Sequence, residues 1–435
     1  SFPTRRSSDL IDVAAGQNFT CGLNGAGVAY CWGNNDEGAL GDGTTSGHKT
    51  PKPVSLDGLD PAPEFTDIAA GLEHVCAITA DKNLYCWGRN NVTQLGLGQG
   101  AGEMKSQPTE VSVPGDVVDL GLGFIHSCAV TDSGDVYCWG GNGCGQLGGG
   151  RANGCGTNTI SASRTPQKVS SSVKFESVSA GEKHTCGLST QGKVYCWGWL
   201  KDGQLGNGEM NGVTPDPDGE TTDEGMMTVD VKFKLAPQQI VPRMSGNAGK
   251  VPSPPYKDVE VGQIHSCAID STNSVFCWGQ NSKKQSGPNC TYEGTDGGMT
   301  PMTYEKCAHP SHLPLGDGAK AEELFAGTNH MCVRETDGKT SCWGRGEHLE
   351  LGNGSNTDDM AKPVHPITTE DLQVITAGGG VNYSNDQGAG FSCGATTSGK
   401  VLCWGVNPSG ALGDGTTGQH AEPTSVEFEG CSMSN

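Results

Sequence analysis

The sequence predicts an all-β fold, a seven-bladed β-propeller of four-stranded blades with a disulfide-linked hairpin in each blade. A Cys-Trp-Gly triplet occurs seven times along the 435 residues, and each triplet follows another cysteine that lies ten positions before its own. Repeats that cannot bury their apolar faces alone stack into one body, and radial closure removes exposed sheet edges. The repeated tryptophans are Trp32, Trp87, Trp139, Trp197, Trp278, Trp343 and Trp404.

The same order of segments surrounds each triplet. A short β-type segment ends in Gly, as at 68–71 and 178–181, and the cysteine hairpin follows. A Gly-rich turn such as 204–206 comes next, and a Pro-x-x-Val segment such as 108–111 completes the unit. Each unit therefore contains about four short strands, which is the content of one propeller blade.

The spacing of the cysteines predicts disulfides within each hairpin. In the fourth copy, two apolar stretches flank residues 190–192, which is typical of a three-residue hairpin loop. This register places Cys186 opposite Cys196 in a non-hydrogen-bonded pair, where Cα atoms lie about 4.5 Å apart, a distance that a disulfide tolerates. Reduced, buried cysteines are the alternative. The predicted pairs are Cys21–Cys31, Cys76–Cys86, Cys128–Cys138, Cys186–Cys196, Cys267–Cys277, Cys332–Cys342 and Cys393–Cys403.

Composition restricts the partners and the compartment. The formal net charge is −21, which disfavours binding to nucleic acid or to anionic membranes. No apolar run approaches the ~20 residues of a membrane span. Nineteen cysteines, most of them in predicted pairs, indicate an oxidising compartment, so we expect an extracellular or secreted protein.

The repeated His-x-Cys, Cys-Trp-Gly and Gln-Leu-Gly elements resemble the repeat of the regulator of chromosome condensation family over nearly all of residues 11–428. The paired cysteines look like the secreted branch of that family. The resemblance implies a propeller that binds other macromolecules and is not an enzyme. Acidity and disulfides argue against carrying over the nuclear role.

We predict these boundaries along the chain. Residues 1–10 match no repeat position and are interpreted as a non-native leader, 11–428 form the propeller, and 429–435 form a tail. An acidic and proline-rich insertion covers about 209–255, and a cysteine-containing insertion covers about 283–312. Because a propeller needs its ends joined, we expect residues 423–428 to pair into the blade that holds Cys21.

Five further cysteines and five sequons remain. Cys144 and Cys155 are expected to close one loop, and Cys431 is left unpaired by arithmetic. Cys290 and Cys307 either form a disulfide, which we favour, or join His309 and His312 in a zinc site. The candidate glycan positions are Asn91 and Asn382.

The catalytic and metal patterns are weak. Ser392 lies in a Gly-x-Ser-x-Gly match, but the match is one copy of the repeat and lacks the strand-to-helix turn of a nucleophile elbow. Clustered acids at Asp36, Glu37 and Asp42 do not have the spacing of an EF-hand calcium loop. Histidines recur two residues before five of the first cysteines, and we expect each to occupy a packed, hydrogen-bonded position opposite the Gly of Cys-Trp-Gly. We predict no cofactor and no metal.

The sequence therefore favours a non-enzymatic extracellular interaction or structural module. Its expected partners are other extracellular proteins or a second copy of itself, with glycans as a further class. The alternative is a secreted enzyme inhibitor or lectin-like propeller, since related secreted propellers include β-lactamase inhibitors.

Overall fold

Seven four-stranded antiparallel sheets and one two-stranded sheet make up the described part of the molecule, and the strands of each four-stranded sheet follow one another in chain order. The computed structural model describes residues 9–152, 155, 162–209, 233–242, 251–288, 290, 292–295, 301–316, 318–356, 360–368, 370–379 and 390–428. The predicted seven-bladed propeller with four-stranded blades is confirmed.

The first four blades contain sixteen strands. Blade one is β1 (Leu10–Ala15), β2 (Phe19–Asn24), β3 (Ala29–Gly33) and β4 (His48–Pro53). Blade two is β5 (Phe65–Ala70), β6 (His74–Thr79), β7 (Leu84–Arg89) and β8 (Met104–Val111). Blade three is β9 (Val117–Leu122), β10 (His126–Thr131), β11 (Val136–Gly141) and β12 (Ala162–Lys168). Blade four is β13 (Phe175–Ala180), β14 (His184–Ser189), β15 (Val194–Trp199) and β16 (Phe233–Gln239).

The last three blades follow the same plan, with one extra hairpin. Blade five is β17 (Tyr256–Val261), β18 (His265–Asp270), β19 (Val275–Gln280) and β22 (Lys306–Leu313), and the extra hairpin is β20 (Tyr292–Thr295) and β21 (Pro301–Tyr304). Blade six is β23 (Ala321–Ala326), β24 (His330–Glu335), β25 (Thr340–Gly344) and β26 (Met360–Val364). Blade seven is β27 (Leu372–Gly379), β28 (Gly390–Thr396), β29 (Val401–Gly405) and β30 (His420–Ser425).

The hairpin at the centre of each blade has the predicted loop. The third loop residue adopts positive φ in all seven copies, including Gly192 at 66° and the exception Lys82 at 65°. Glycine adopts this region without a steric penalty, whereas a residue with a Cβ is strained there. The register that follows pairs Cys186 with Cys196, and the other six copies have the same cysteine register.

The domain boundaries stay predictions, and strands of the described structure begin inside the predicted leader and insertions. The fold begins inside the predicted leader, because Leu10 opens β1 and is 1% exposed. Each of the two predicted insertions contains the outer strand of a blade, β16 in 209–255 and β22 in 283–312. Pro237 lies within β16, and an outer strand tolerates proline because only one of its edges is paired.

Neighbouring blades are joined by the tryptophans. Each of the seven repeated tryptophans is 0% exposed and donates its Nε1–H to a backbone carbonyl of the preceding blade at 2.8–2.9 Å. Most of the Gly-rich turns fit beneath the next indole. A Cβ on Gly148, for example, would lie 2.9 Å from Nε1 of Trp197. The recurring tryptophans and turn glycines thus hold the blades together.

The predicted closure is wrong. Strand β30 pairs only with β29 in blade seven, because blade one already has four strands of its own. The ends meet through side-by-side contacts instead. Trp32 Nε1 and Thr20 Oγ1 each donate to the carbonyl of Ala411 at 2.8 Å, and Gly415 N donates to Lys49 O at 3.1 Å.

Candidate functional site

The hairpin cysteines lie at disulfide distance. Their Cα atoms are separated by 4.0–4.1 Å in all seven blades, about half an ångström less than the sequence predicted. Both cysteines of every pair are 0% exposed. Each cross-link would connect the two middle strands of its blade and leave the propeller faces unmodified.

The loop cysteines also pair. Cys144 lies with Cys155 and Cys290 with Cys307, at Cα separations of 4.6 and 5.2 Å. The zinc alternative is not assembled: His309 Nδ1 bonds the carbonyl of Val241 at 2.8 Å, and the ring of His312 packs against another side chain of blade five. Within the described part of the chain, no group of three or more potential ligands is placed to hold a metal ion.

The histidine ring is a set of contacts between blades. Each of the five histidines pairs in register with the Gly of its Cys-Trp-Gly triplet, as predicted. In four of them Nε2 bonds a serine or threonine hydroxyl of the next blade at 2.8–3.0 Å. Each of those hydroxyls in turn donates to a backbone carbonyl, so Nε2 carries the proton. Burial lowers the pKa of all five histidines to about 3, which keeps them neutral.

Ser392 belongs to this ring. Its hydroxyl donates to the carbonyl of Glu350 at 2.9 Å and accepts from His330 Nε2 at 2.8 Å. The side chain is 0% exposed and lies within β28. The Gly-x-Ser-x-Gly match therefore reflects the propeller repeat, and its serine joins two blades.

The acidic turn of blade one is likewise internally bonded. Asp42 Oδ1 accepts hydrogen bonds from the backbone N–H and the hydroxyl of Thr44 at 2.9 and 2.8 Å. Its Oδ2 faces His48 Nε2 at 3.3 Å. Those bonds lower the pKa of Asp42 despite its partial burial. Blade seven repeats this arrangement with Asp414, Thr416 and His420.

An eighth tryptophan was not singled out by sequence reasoning. Trp199 directly follows the triplet of blade four and is half-buried at the end of β15. The Nζ atoms of Lys183 and Lys201 lie 4.9 and 5.6 Å from its ring centroid. Lys183 also contacts Glu182 at 2.7 Å. Ammonium groups over an indole face fix its orientation, so this partly exposed aromatic ring is held in place. The sequence signal that could have identified it is a Trp directly after the Cys-Trp-Gly triplet.

A central channel of about 310 Å³ runs between the inner strands. Asp12, Glu260 and Glu323 contribute carboxyl groups to its wall. Burial is the largest cause that raises the pKa of Asp12, to about 7, and that raises the pKa of Glu260 well above its usual value. In the sequence, these acids could have been identified as a recurring acid at the third position of several inner strands, but that pattern is visible only once the strands are aligned.

Three predicted positions remain: two glycan sites and one unpaired cysteine. Asn91 lies in an exposed turn, and its glycosylation stays a prediction. Asn382 and Cys431 lie outside the described residues. In the described part of the chain, no helix has the length and apolar character needed to cross a membrane.

Comparison with known proteins identifies the family. Residues 2–385 match the RCC1-like domain. The ultraviolet-B receptor UVR8 of Arabidopsis thaliana is 27% identical over 364 residues, which are 82% of this chain and 70% of the receptor. The human regulator of chromosome condensation is 27% identical over 394 residues, 80% of this chain and 85% of that protein.

Solved structures agree on the fold. Yeast RCC1 (Prp20) in its complex with Kap60 matches with a TM-score of 0.69 at 20% identity, and the match covers 99% of this chain and 89% of the yeast chain. Human WBSCR16 matches with a TM-score of 0.68 at 21% identity, and the match covers 92% of this chain and 95% of the WBSCR16 chain. The match to residues 2–385, together with seven closed blades, shows that this chain belongs to the RCC1-like domain family.

Proposed function

We propose that this protein is a non-enzymatic interaction module that acts outside the cell and binds a protein partner. The observation that carries the proposal is Trp199, whose side chain is partly exposed while the seven repeated tryptophans are fully buried. Protein interfaces are enriched in tryptophan, and an oriented aromatic side chain loses little conformational entropy on binding.

The face that carries Trp199 is suited to a protein partner. The backbone N–H of Trp199 donates to the carbonyl of Lys183 at 2.9 Å. Lys183 lies in the turn that leads from the inner strand of blade four into its hairpin. Gln263 of the next blade donates to Glu182 Oε2 at 2.9 Å and ties that turn to its neighbour. Binding residues on a rigid scaffold are the usual arrangement for recognition.

Similar proteins support the general class of function. The solved structure of Prp20p from Saccharomyces cerevisiae is described together with its binding to Gsp1p and histones, and that of yeast RCC1 with bound Kap60. These likenesses carry only the fold, so the partner of this chain follows from its own surface. The expected partners are extracellular proteins or a second copy of the chain.

An extracellular location is supported by the nine cysteine pairs at bonding distance. The alternative of a lectin-like propeller has less support. An exposed aromatic cluster would favour sugar binding, but the large hydrophobic side chains that are exposed in the described residues are all aliphatic: Met104, Val118, Val241, Val251 and Ile367.

The proposal is tested by isolating the native protein and identifying what accompanies it, then repeating the isolation with Trp199→Ala. We expect the variant to lose the partner at least tenfold in affinity, the scale of a binding hot spot. Ile367→Ala is the matched control, because this side chain is 52% exposed on another blade. Sedimentation of the purified chain distinguishes a second copy from a different protein. Equal partner recovery from Trp199→Ala and from the control would contradict the proposed surface.

The location is tested separately. Mass measurement of protein that is unfolded in denaturant and alkylated without reduction should find the fourteen hairpin cysteines unmodified. Alkylation of those cysteines would contradict the extracellular assignment.

A further inference from the structure

A ring of carboxyl groups recurs at one level of the inner strands that enclose the central channel, and Asp12, Glu260 and Glu323 line the channel itself. The carboxyl groups of the ring occupy the third position of five inner strands, at Asp12, Asp67, Asp119, Asp258 and Glu323, and Glu260 adds a sixth carboxyl two residues after Asp258. The two remaining blades have Ser177 and Val374 at this position. The third position is irregular in every blade, because the pairing of the inner strand shifts there.

These carboxyl groups join neighbouring blades. Asp119 Oδ2 accepts the backbone N–H of Val178 in the next blade at 2.7 Å, and Asp258 Oδ2 accepts that of Leu324 at 2.7 Å. Between blades four and five, Ser179 Oγ donates to Glu260 Oε2 at 2.9 Å. The same Ser179 Oγ accepts the N–H of Val261 at 3.0 Å. The inner strands are therefore held together partly through titratable groups.

The surroundings of the ring are negative. Asp12 faces Asp67 and Glu323, while Asp119 faces Asp67 and Asp258. Glu260 faces Asp258, Asp119 and Glu323. Two cations act on the ring: Lys82 lies near Asp67, and Arg334 Nη2 donates to Glu323 Oε2 at 2.8 Å. Among the described residues that line the channel none is Lys, Arg or His. Like charges this close in a poorly solvated space disfavour simultaneous ionisation.

We propose that the buried acids of this ring, Asp12, Asp119, Asp258 and Glu260, make the closure of the propeller pH-sensitive: the inner strands hold together tightly while these carboxyls are protonated and loosen when they ionise together. Protonated carboxyls remain able to accept the N–H of the next blade and do not repel one another. Ionisation retains the acceptors but adds mutual repulsion across the channel. The propeller is thus most firmly closed at mildly acidic pH.

The direction follows from linkage. Burial, together with neighbouring acids, raises the pKa of Asp12, Asp119 and Asp258 to about 7, so the stability that their protonation contributes is complete below the ordinary pKa of 3.8 and is lost as pH rises through 7. The buried histidines act in the opposite sense. Their pKa of about 3 means that their contribution is complete above the ordinary value of 6.5 and falls as pH drops toward 3.

The two effects oppose each other up to about pH 7.5, because an unfolded histidine is still half protonated at its ordinary pKa of 6.5. The contribution of the carboxyls is therefore taken from the difference between the unchanged chain and a carboxyl variant. Chemical unfolding of the full chain is measured at several pH values from 6.5 to 8. For each carboxyl with a pKa near 7, the unfolding equilibrium constant should rise about fourfold across this interval. Asp119→Asn combined with Asp258→Asn keeps both acceptors, removes two titrations and should reduce the rise about sixteenfold.

Asp135→Asn is the control, because bonds from Lys168 and Lys174 lower the pKa of this surface aspartate and place its titration below the interval. A second readout needs no variant: infrared spectra of the native protein should contain protonated-carboxyl absorption at pH 6.5 that disappears by pH 8. The inference is overturned if the double variant keeps the full pH dependence of the unchanged chain, or if no protonated carboxyl absorbs at pH 6.5.

Discussion

The junction that closes the propeller is more completely bonded than the two junctions of blade six. Where blades seven and one meet, Leu10 N bonds Gly399 O at 3.2 Å, Gly379 N bonds Gly16 O at 3.0 Å, and Trp32 bonds Ala411 O. No covalent connection joins blades seven and one here, yet the hydrogen bonds are of the same kind as those between consecutive blades. The junction needs no shared strand because lateral contacts between complete blades suffice.

Blade six differs on both sides. Toward blade five, the neighbour of His265 is Met331 rather than a hydroxyl residue, and both ring nitrogens of His265 are buried without a hydrogen-bond partner among the described residues. Toward blade seven, the bond that six other junctions make from an inner-strand N–H to a hairpin turn is missing between Leu372 and Gly338. A cavity of about 350 Å³ lies there, lined in part by Thr340, whose buried hydroxyl also has no partner in the described structure.

The comparison teaches that a propeller is weakened where a residue departs from its repeat, and not necessarily where the chain ends. Phe19 and Phe391 replace the histidine in blades one and seven, and neither leaves a polar atom unpaired. His265 retains the polar ring but lacks its acceptor. A buried donor without a partner costs about 1–3 kcal/mol.

The largest effect is expected from removing a junction tryptophan. Trp32→Ala deletes the buried indole of the closing junction and should destabilise the protein by about 3–5 kcal/mol, as for other buried tryptophans. Trp343→Ala between blades five and six is the matched variant, and denaturant unfolding measures both. A loss for Trp32→Ala far below that of Trp343→Ala would mean that the closing junction frays, which would break the comparison.

An intermediate effect is expected from the hairpin disulfides. Replacing Cys21 and Cys31 together by alanine should cost about 2–3 kcal/mol on the chain-entropy account of a ten-residue loop. Cys332→Ala with Cys342→Ala in blade six should cost the same, since each cross-link is local to its hairpin. Unequal losses in thermal unfolding would show that the disulfides also support the junctions.

The smallest effect, and the sharpest test, concerns the unpaired histidine. His265→Phe copies the residue of blades one and seven and removes two unpaired nitrogens, so it should stabilise the protein by about 1 kcal/mol. His330→Phe is the control and should destabilise by about 1 kcal/mol, because it removes the bond to Ser392. If both variants shift the unfolding midpoint in the same direction, the absence of an acceptor near His265 is not what weakens blade six.

The sequence by itself determined what is local. The hairpin loop, the pairing of Cys186 with Cys196 and the position of His184 opposite Gly198 depend on residues within about fifteen positions of one another, where turn chemistry and strand alternation act directly. The number of blades followed from counting these local units. Their confirmation reflects agreement between local preference and the overall fold.

Only the tertiary structure decided how the blades meet. Ala411 accepts from Trp32, 379 positions away, and no local pattern specifies that contact. The outer strands β16 and β22 were hidden in acidic and cysteine-containing segments because an outer strand is half-exposed and carries a weak apolar signal. The carboxyl ring likewise became visible only when the inner strands, five of which carry one or two of its acids, were placed around a common channel.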